Sequence, residues 1–222
     1  MNGRLGFDVD GVVRDFVGSL CKIFIKKGYK IVNPNTYYFT KMFNLNKEYE
    51  DFYDFLDDNL SREELEQLYI GSPVLSFVKE NVDSLISYGF EVYYISHQIS
   101  EEARDLTYKF MENNNLQGEK TIFTSGIKSD VCNKYGIDLF VDDLLTNYID
   151  ILYNSKTVPI LFTGYNQNVK DLNIDYTTNN INRLKALGVP ILEIDSHLNF
   201  LKKIENSVLY IPSQFKKKTY LF

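Results

Sequence analysis

A chain of 222 residues, 44% hydrophobic and 24% charged, is typical of a globular protein with one core, or with one core and an inserted segment. Its formal net charge of −6 argues against nonspecific binding to duplex nucleic acid, which uses a basic face, but allows a small anionic substrate beside a metal ion. No apolar run approaches transmembrane length and the N-terminus lacks the pattern of a signal peptide, so we expect a cytoplasmic protein that contacts no membrane.

The first predicted strand ends in two aspartates. Leu5, Phe7 and Val9 alternate as one face of a short strand, and Asp8 and Asp10 lie where that strand gives way to a loop. Two carboxylates this close repel one another unless a cation or a shared proton compensates. A solvated turn is the alternative, but the apolar residues on both sides of the pair favour a chemical site.

Residues 16–72 predict a helical, aromatic-rich insertion without a strand. Helical spacing is present in 16–28, 48–56 and 63–70. The last of these begins with a capping-box sequence, Ser61 to Glu64, and ends before Gly71-Ser72-Pro73. We therefore divide the chain into a core of residues 1–15 and 73–222 and an insertion of residues 16–72.

After the insertion, helices and strands alternate. The predicted strands are 90–95, 120–124, 137–141 and 158–162, and the predicted helices are 74–88, 100–113, 128–135 and 144–154. This alternation predicts an α/β fold whose parallel sheet is covered by helices on both faces. In the tail we expect a helix at 182–187, a strand at 189–194 and a helix that Ser196 caps.

Several polar residues fall at or just beyond the carboxyl ends of the predicted strands, where ligands bind in open α/β sheets. They are Asp8, Asp10, Ser96, Lys128, Asp142 and Asp143. Each alone has an ordinary explanation: a helix N-cap for the Asp142-Asp143 pair, a turn residue for Ser96 and a surface charge for Lys128. Together, the carboxylates suit Mg²⁺, and the metal and lysine suit the charge of a phosphoryl group.

The set Phe-Asp8-Val-Asp10-Gly-Val, Ile-Ser96, Lys128 and Val-Asp142-Asp143 resembles the four motifs of the haloacid dehalogenase-like (HAD) phosphatase superfamily, in the expected order. The resemblance spans residues 4–166 and implies a three-layer, Rossmann-like core with a small helical cap formed by the insertion. The stretches Asp8 to Phe16, Gly89 to Ser96 and Phe162 to Gln167 are also similar to the 5'(3')-deoxyribonucleotidase group of cytosolic type C. Ser96-His97-Gln98 stands where that group has Thr-Ser-Pro.

The resemblance implies a Mg²⁺-dependent phosphomonoesterase. Asp8 becomes the nucleophile that forms an aspartyl-phosphate, and Asp10 becomes the general acid and then the base. Ser96 and the backbone of His97 bind the phosphate, with Lys128 balancing its charge. The metal is held by Asp8, the Asp10 backbone carbonyl, and either Asp142 or Asp143.

The insertion is where we expect the substrate to be selected. The resemblance places Phe16 beside the substrate, and Tyr38 and Phe43 are further candidates because bases stack on aromatic rings. The alternative is that these rings form the core of the insertion; for His97 a structural role is equally open.

The expected partner is a small phosphate ester, here a nucleoside 5'-monophosphate, ribo or deoxy, bound to a monomer or homodimer. Another small phosphate ester, such as a sugar phosphate or a nucleic-acid end, is an alternative substrate. A non-catalytic HAD-like binding protein is the alternative from a different class.

Overall fold

One parallel sheet of six strands forms the centre of the molecule. The computed structural model describes residues 3–36, 39–45, 49, 52–164 and 178–200. The strands are β1 (Arg4–Phe7), β2 (Glu91–His97), β3 (Lys120–Thr124), β4 (Leu139–Asp142), β5 (Val158–Phe162) and β6 (Glu193–Ile194). Their order is β3-β2-β1-β4-β5-β6, and each pairs in parallel with its neighbours. The predicted α/β class with a parallel sheet is therefore confirmed.

Helices connect these strands. They are α1 (Phe16–Lys26), α2 (Phe39–Met42), α3 (Phe52–Asn59), α4 (Arg62–Tyr69), α5 (Val78–Ser87), α6 (Glu101–Asn113), α7 (Lys128–Tyr135), α8 (Leu145–Asn154) and α9 (Thr178–Ala186), with a 3₁₀ turn at His197–Asn199. No described helix has the length and apolar character needed to cross a bilayer.

The strands are apolar on both faces because helices cover both sides of the sheet. In β2, Val92 and Tyr94 pack into one buried cluster, while Tyr93 and Ile95 pack into another on the opposite face. This alternation follows from the two-residue period of a strand. Because the strands are parallel, their carboxyl ends lie at the same edge of the sheet, and the polar candidate residues are found at this edge.

Among the described residues between β1 and β2, all regular elements are helices. Helices α1 to α4 share a buried cluster in which Phe24 stacks on Phe43 and Phe55, with ring centroids 4.9 and 5.3 Å apart. The predicted capping box of α4 is present, with Ser61 and Glu64 each accepting a hydrogen bond from the other's backbone amide. Much of the aromatic content of the insertion therefore stabilises the insertion itself.

Helix α5 begins four residues later than the sequence pattern indicates. Val74 forms an antiparallel bridge with Arg14, and the Leu75 amide donates to the Val13 carbonyl at 2.8 Å. Phe77 then adopts a left-handed conformation, with φ of 65°, before the helix starts at Val78. Val74 and Leu75 therefore pair with the loop after β1 instead of beginning the helix.

The tail follows the predicted order with shifted bounds. The expected helix at 182–187 is the longer α9, and the expected strand at 189–194 is reduced to β6. Ser196 caps the 3₁₀ turn, where its hydroxyl accepts from the Leu198 amide at 3.1 Å. Any continuation of that helix beyond residue 200 lies outside the described residues.

Candidate active site

Lys128 lies between two aspartates from different strands. Its Nζ is 2.8 Å from Asp8 Oδ1 and 2.7 Å from Asp142 Oδ2, and all three side chains are buried. Lys128 is the first residue of α7, just after the turn that follows β3. Burial acts to lower the pKa of Lys128, but the charges of Asp142 and Asp8 outweigh it and raise the pKa above its ordinary value. The ammonium is therefore a fixed positive charge at the sheet edge.

Asp8 is held rigidly at the end of β1. Its amide donates to the Val141 carbonyl at 2.9 Å, which extends the pairing of β1 with β4, and its Oδ1 accepts from the Val9 amide at 2.8 Å. Burial raises the pKa of Asp8 to about 7; Lys128 opposes this shift, and the charge of Asp142 adds to it. A cation bound beside the carboxylate would favour its ionised form.

Asp8, Asp142 and Asp143 form a cluster suited to a hard divalent cation. Each offers one carboxylate oxygen, these oxygens all lie within 4.8 Å of one another, and all three residues are buried. Three carboxylates beside one ammonium leave negative charge that Mg²⁺, an oxygen-seeking ion, can neutralise. The backbone leaves room for this cluster at Gly11, where a Cβ would lie 2.1 Å from Asp143 Oδ2.

Asp142 has both carboxylate oxygens engaged by protein groups. Oδ1 accepts from the Leu144 amide at 2.8 Å, and Asn147 Nδ2 lies 3.1 Å from each oxygen. Together with Lys128, these contacts fix the Asp142 side chain.

Asp10 is not one of the three clustered carboxylates and is held by a buried guanidinium. Arg14 Nε and Nη2 lie 2.7 and 2.6 Å from Asp10 Oδ1, and Gln98 Nε2 donates to Oδ2 at 2.9 Å. Arg14 also donates to the Tyr69 carbonyl at 2.6 Å and to Thr107 Oγ1 at 3.3 Å. The Asp10 carboxylate is thus oriented by two side chains, Arg14 and Gln98, and Arg14 is itself anchored by Tyr69 and Thr107.

Ser96 and His97 end β2 on the same side as the aspartates. Ser96 is buried and its Oγ accepts from Gln98 Nε2 at 3.3 Å, whereas His97 is exposed. Burial of part of the ring and the nearby Lys128 charge lower the pKa of His97, against a raising contribution from a hydrogen bond with the Gly126 backbone. Both residues line the cavity described next.

A cavity of about 460 Å³ opens above the acidic cluster. The core contributes Asp8, Asp10, Ser96, His97, Gln98, Ile99, Gly126, Lys128, Asp143, Leu144 and Asn147; the insertion contributes Phe16, Phe39, Thr40, Tyr49, Phe52, Phe55 and Tyr69. The charged lining residues therefore come from the core, and the aromatic ones come from the insertion. That combination suits a ligand with a phosphate at one end and a flat, apolar group at the other.

The three aromatic residues of the insertion that were substrate-binding candidates differ in where they lie. Phe16 lines the cavity, although its ring also packs against Tyr69 with centroids 5.4 Å apart. Phe43 is not among the lining residues; it is buried against Phe24 in the cluster of the insertion. Tyr38 lies outside the described residues, as does Asn166 in the stretch compared with the deoxyribonucleotidases.

Three residues absent from the sequence-based set bear on this site: Arg14 and Gln98, which contact Asp10, and His197, which contacts the loop after β1. The buried ring of His197 has Nε2 2.8 Å from the Val12 carbonyl and Nδ1 3.2 Å from Asn81 Nδ2, so it supports the loop after β1 from below. Because a carbonyl only accepts, Nε2 carries the proton. For Arg14, its place among apolar residues, Val12-Val13 before and Phe16 after, was the available signal of burial.

No protein-family model matches the chain, and no curated protein sequence matches it. Solved structures do. A phosphonoacetaldehyde hydrolase-like protein from Oleispira antarctica is similar with a TM-score of 0.57 and 12% identity over 92% of each chain. A HAD family hydrolase from Deinococcus radiodurans, with bound phosphate and sodium, has a TM-score of 0.54 and 14% identity, covering 90% of this chain and 93% of its own.

A conserved haloacid dehalogenase-like protein from Agrobacterium tumefaciens also has a TM-score of 0.54, with 12% identity over 94% of this chain and 100% of its own. At such identities the likeness concerns the arrangement of strands and helices. The chain therefore has the fold of the haloacid dehalogenase-like hydrolases.

Proposed function

We propose that this protein is a Mg²⁺-dependent phosphomonoesterase that acts through an aspartyl-phosphate on Asp8. The observation that carries the proposal is Lys128, buried between Asp8 and Asp142 at the edge of a three-aspartate cluster. A fixed ammonium beside a carboxylate nucleophile reduces the repulsion between that carboxylate and a phosphate dianion. The HAD-like fold, and a neighbour of that fold that was solved with bound phosphate, support the same reaction.

In the first half of the reaction, an Asp8 oxygen forms a bond to phosphorus while the bond from phosphorus to the ester oxygen breaks. Asp10 gives its proton to that leaving oxygen, so an alcohol departs. In the second half, water attacks the phosphorus and Asp10 takes up its proton. Inorganic phosphate is released and Asp8 is regenerated.

The chain's own groups stabilise the charge on the transferring phosphoryl group. We assign Lys128, Ser96 and the His97 backbone as the donors that bind its oxygens. Asp8, the Asp10 carbonyl and Asp143 would hold Mg²⁺, which when bound neutralises the phosphoryl oxygens and orients them. With both oxygens of Asp142 engaged, Asp142 serves to position Lys128.

For the substrate, we propose nucleoside 5'-monophosphates, ribo or deoxy, with the insertion acting as the cap that selects them. The aromatic residues of the cavity support this choice, since Phe16, Phe39, Tyr49 and Phe52 line the same cavity as Lys128. A base stacked on such rings contributes about 1–3 kcal/mol. The resemblance to the deoxyribonucleotidase motifs points to the same class.

The reaction is tested with p-nitrophenyl phosphate, with Mg²⁺ or with EDTA, for wild type and Asp8→Asn. We expect turnover that EDTA abolishes and Asp8→Asn lacks, while the surface variant Asp130→Asn on α7 keeps it. Metal-independent turnover or an active Asp8→Asn enzyme would contradict the mechanism. A panel of nucleoside monophosphates and sugar phosphates then tests the substrate, and faster turnover of sugar phosphates would exclude the nucleotidase assignment.

A further inference from the structure

The side chain of Arg14 is fully buried, which is costly for a charged group unless it is paired and hydrogen-bonded. Its charge is met by Asp10, with Nε and Nη2 within 2.7 Å of Oδ1. The remaining contacts are the Tyr69 carbonyl, Thr107 Oγ1, and the rings of Phe16, Tyr69 and Phe110, whose centroids lie 5.5, 5.1 and 4.9 Å from the guanidinium carbon.

The contact between Arg14 and Tyr69 joins the insertion to the loop after β1, which carries Asp10. Tyr69 is the last residue of α4, and the carbonyls at the end of a helix lack partners within the helix and carry partial negative charge. Arg14 Nη1 donates to this carbonyl at 2.6 Å. A single planar guanidinium therefore binds the end of α4 and the carboxylate of Asp10 at the same time, in a geometry that its rigid fork fixes.

We propose that Arg14 is a positioning residue that orients the general acid Asp10. Through Arg14, this orientation depends on the position of α4 relative to the core. This inference rests on the proposed phosphatase function. If α4 moves relative to the core, the guanidinium loses one of its anchors and Asp10 loses its fixed direction. A proton donor that is displaced by about 1 Å loses much of its effect, so proton transfer to the leaving oxygen would then be slow.

This role predicts a loss that depends on the leaving group. The p-nitrophenolate anion departs without a proton, whereas the alkoxide of β-glycerophosphate needs one. The ratio kcat/KM reports the steps up to departure of the leaving group, so it isolates the acid function from the later base function. In Arg14→Lys, we expect kcat/KM for β-glycerophosphate to fall about 100-fold or more and for p-nitrophenyl phosphate to fall less than about 10-fold.

Matched variants separate this role from general damage. Arg62→Met removes an exposed arginine of α4 and should leave both ratios unchanged. Asp10→Asn should show the same substrate-dependent loss, and adding Arg14→Lys to it should cause no further loss, since both changes remove one function. Should Arg14→Lys fail to fold by circular dichroism, Thr107→Val removes one anchor of the guanidinium and should give the same dependence in weaker form.

Equal losses for the two esters in every folded variant would overturn the inference, as would additive losses in the double variant. Both results differ from a failure of the proposed function itself. In that case wild-type protein with Mg²⁺ hydrolyses neither ester, and the comparison between Arg14 variants does not arise.

Discussion

Lys128 Nζ lies 2.8 Å from Asp8 Oδ1 and 2.7 Å from Asp142 Oδ2, and this ammonium ties the first strand of the sheet to its neighbour β4. The two carboxylates come from strands separated in sequence by the whole insertion and by β2 and β3. Their approach is a direct result of parallel pairing, which brings the carboxyl ends of β1 and β4 to the same edge. The sheet topology therefore brings together the charged side chains that the proposed reaction requires.

Replacing Lys128 by Met removes the ammonium while keeping a long apolar stem. We expect kcat/KM for p-nitrophenyl phosphate to fall about 100-fold to 1,000-fold, the usual size of an electrostatic contribution of this kind. The measurement is steady-state kinetics at saturating Mg²⁺. Lys134→Met, on the exposed side of the same helix, is the control and should leave the rate unchanged; a similar rate in both variants would remove Lys128 from the mechanism.

The substitution Gly11→Ala tests the proposed metal site, because Gly11 is where the backbone passes close to Asp143. In Gly11→Ala the new Cβ would meet Asp143 Oδ2 at 2.1 Å and would sit at a φ of 84°, so the cluster must be distorted. We expect Mg²⁺ affinity, measured by isothermal titration calorimetry, to fall more than about tenfold, the scale on which disturbing a ligand's support acts.

Gly28→Ala is the matched control for that variant. Gly28 has a similar φ of 92°, but a Cβ there meets no atom within 4 Å. The conformational penalty is thus retained without the contact to the cluster. If the two variants lose Mg²⁺ affinity equally, the close approach of Gly11 to Asp143 plays no part in metal binding.

The sequence predicts the exact bounds of those elements that have clear turn residues at both ends. Strands β3 and β5 and helix α7 have the expected bounds, since turn residues flank each of them. The predicted helix at 74–88 is longer than α5 because Val74 and Leu75 pair with the loop after β1, and such a tertiary contact leaves no periodic pattern in the sequence. In the apolar run before β6, the Tyr148 hydroxyl likewise donates to the Pro190 carbonyl and accepts from the Leu192 amide.

The grouping of Asp8, Lys128 and Asp142 follows from one rule about strand ends, and the structure brings them together as that rule expects. Arg14 could not be placed in the same way. Its partners Tyr69 and Thr107 are 55 and 93 residues away in sequence, and an arginine in a loop is ordinarily a solvated charge. The apolar residues around Arg14 signal its burial, but they do not indicate which distant residues it contacts.

Phe52 tests whether the aromatic residues of the cavity select the substrate. It is half-buried at the cavity, and its ring lies 5.3 Å from that of Phe39. In Phe52→Ala we expect KM for a nucleoside 5'-monophosphate to rise about tenfold or more, through lost base stacking, while kcat/KM for β-glycerophosphate changes little.

Phe43→Leu provides the comparison for Phe52, because Phe43 packs on Phe24 in the insertion. It should lower the melting temperature and leave KM for the nucleotide close to that of wild type. A rise in KM for Phe43→Leu with none for Phe52→Ala would place the base elsewhere in the insertion.

The buried ring of His197 predicts a pH-dependent stability. Burial lowers the pKa of His197 to about 4, against the opposing effect of its hydrogen bond to the Val12 carbonyl, and the unfolded chain has an ordinary value near 6.5. Because the unfolded state binds the proton more tightly, the stability contribution is complete above about pH 6.5 and is lost as the pH falls toward 4. The loss over that window is about 3 kcal/mol in the free energy of unfolding.

Urea unfolding of wild type and His197→Asn between pH 7.5 and 4.5 measures this contribution, since the difference between the two proteins cancels the common titration of the carboxylates. The advantage of wild type over His197→Asn should shrink steadily as the pH is lowered. His97→Asn changes the exposed histidine and should retain most of the wild-type slope, because its ring is far less buried. A wild-type advantage that stays constant across this range would mean that His197 takes up its proton without leaving the contact with Val12.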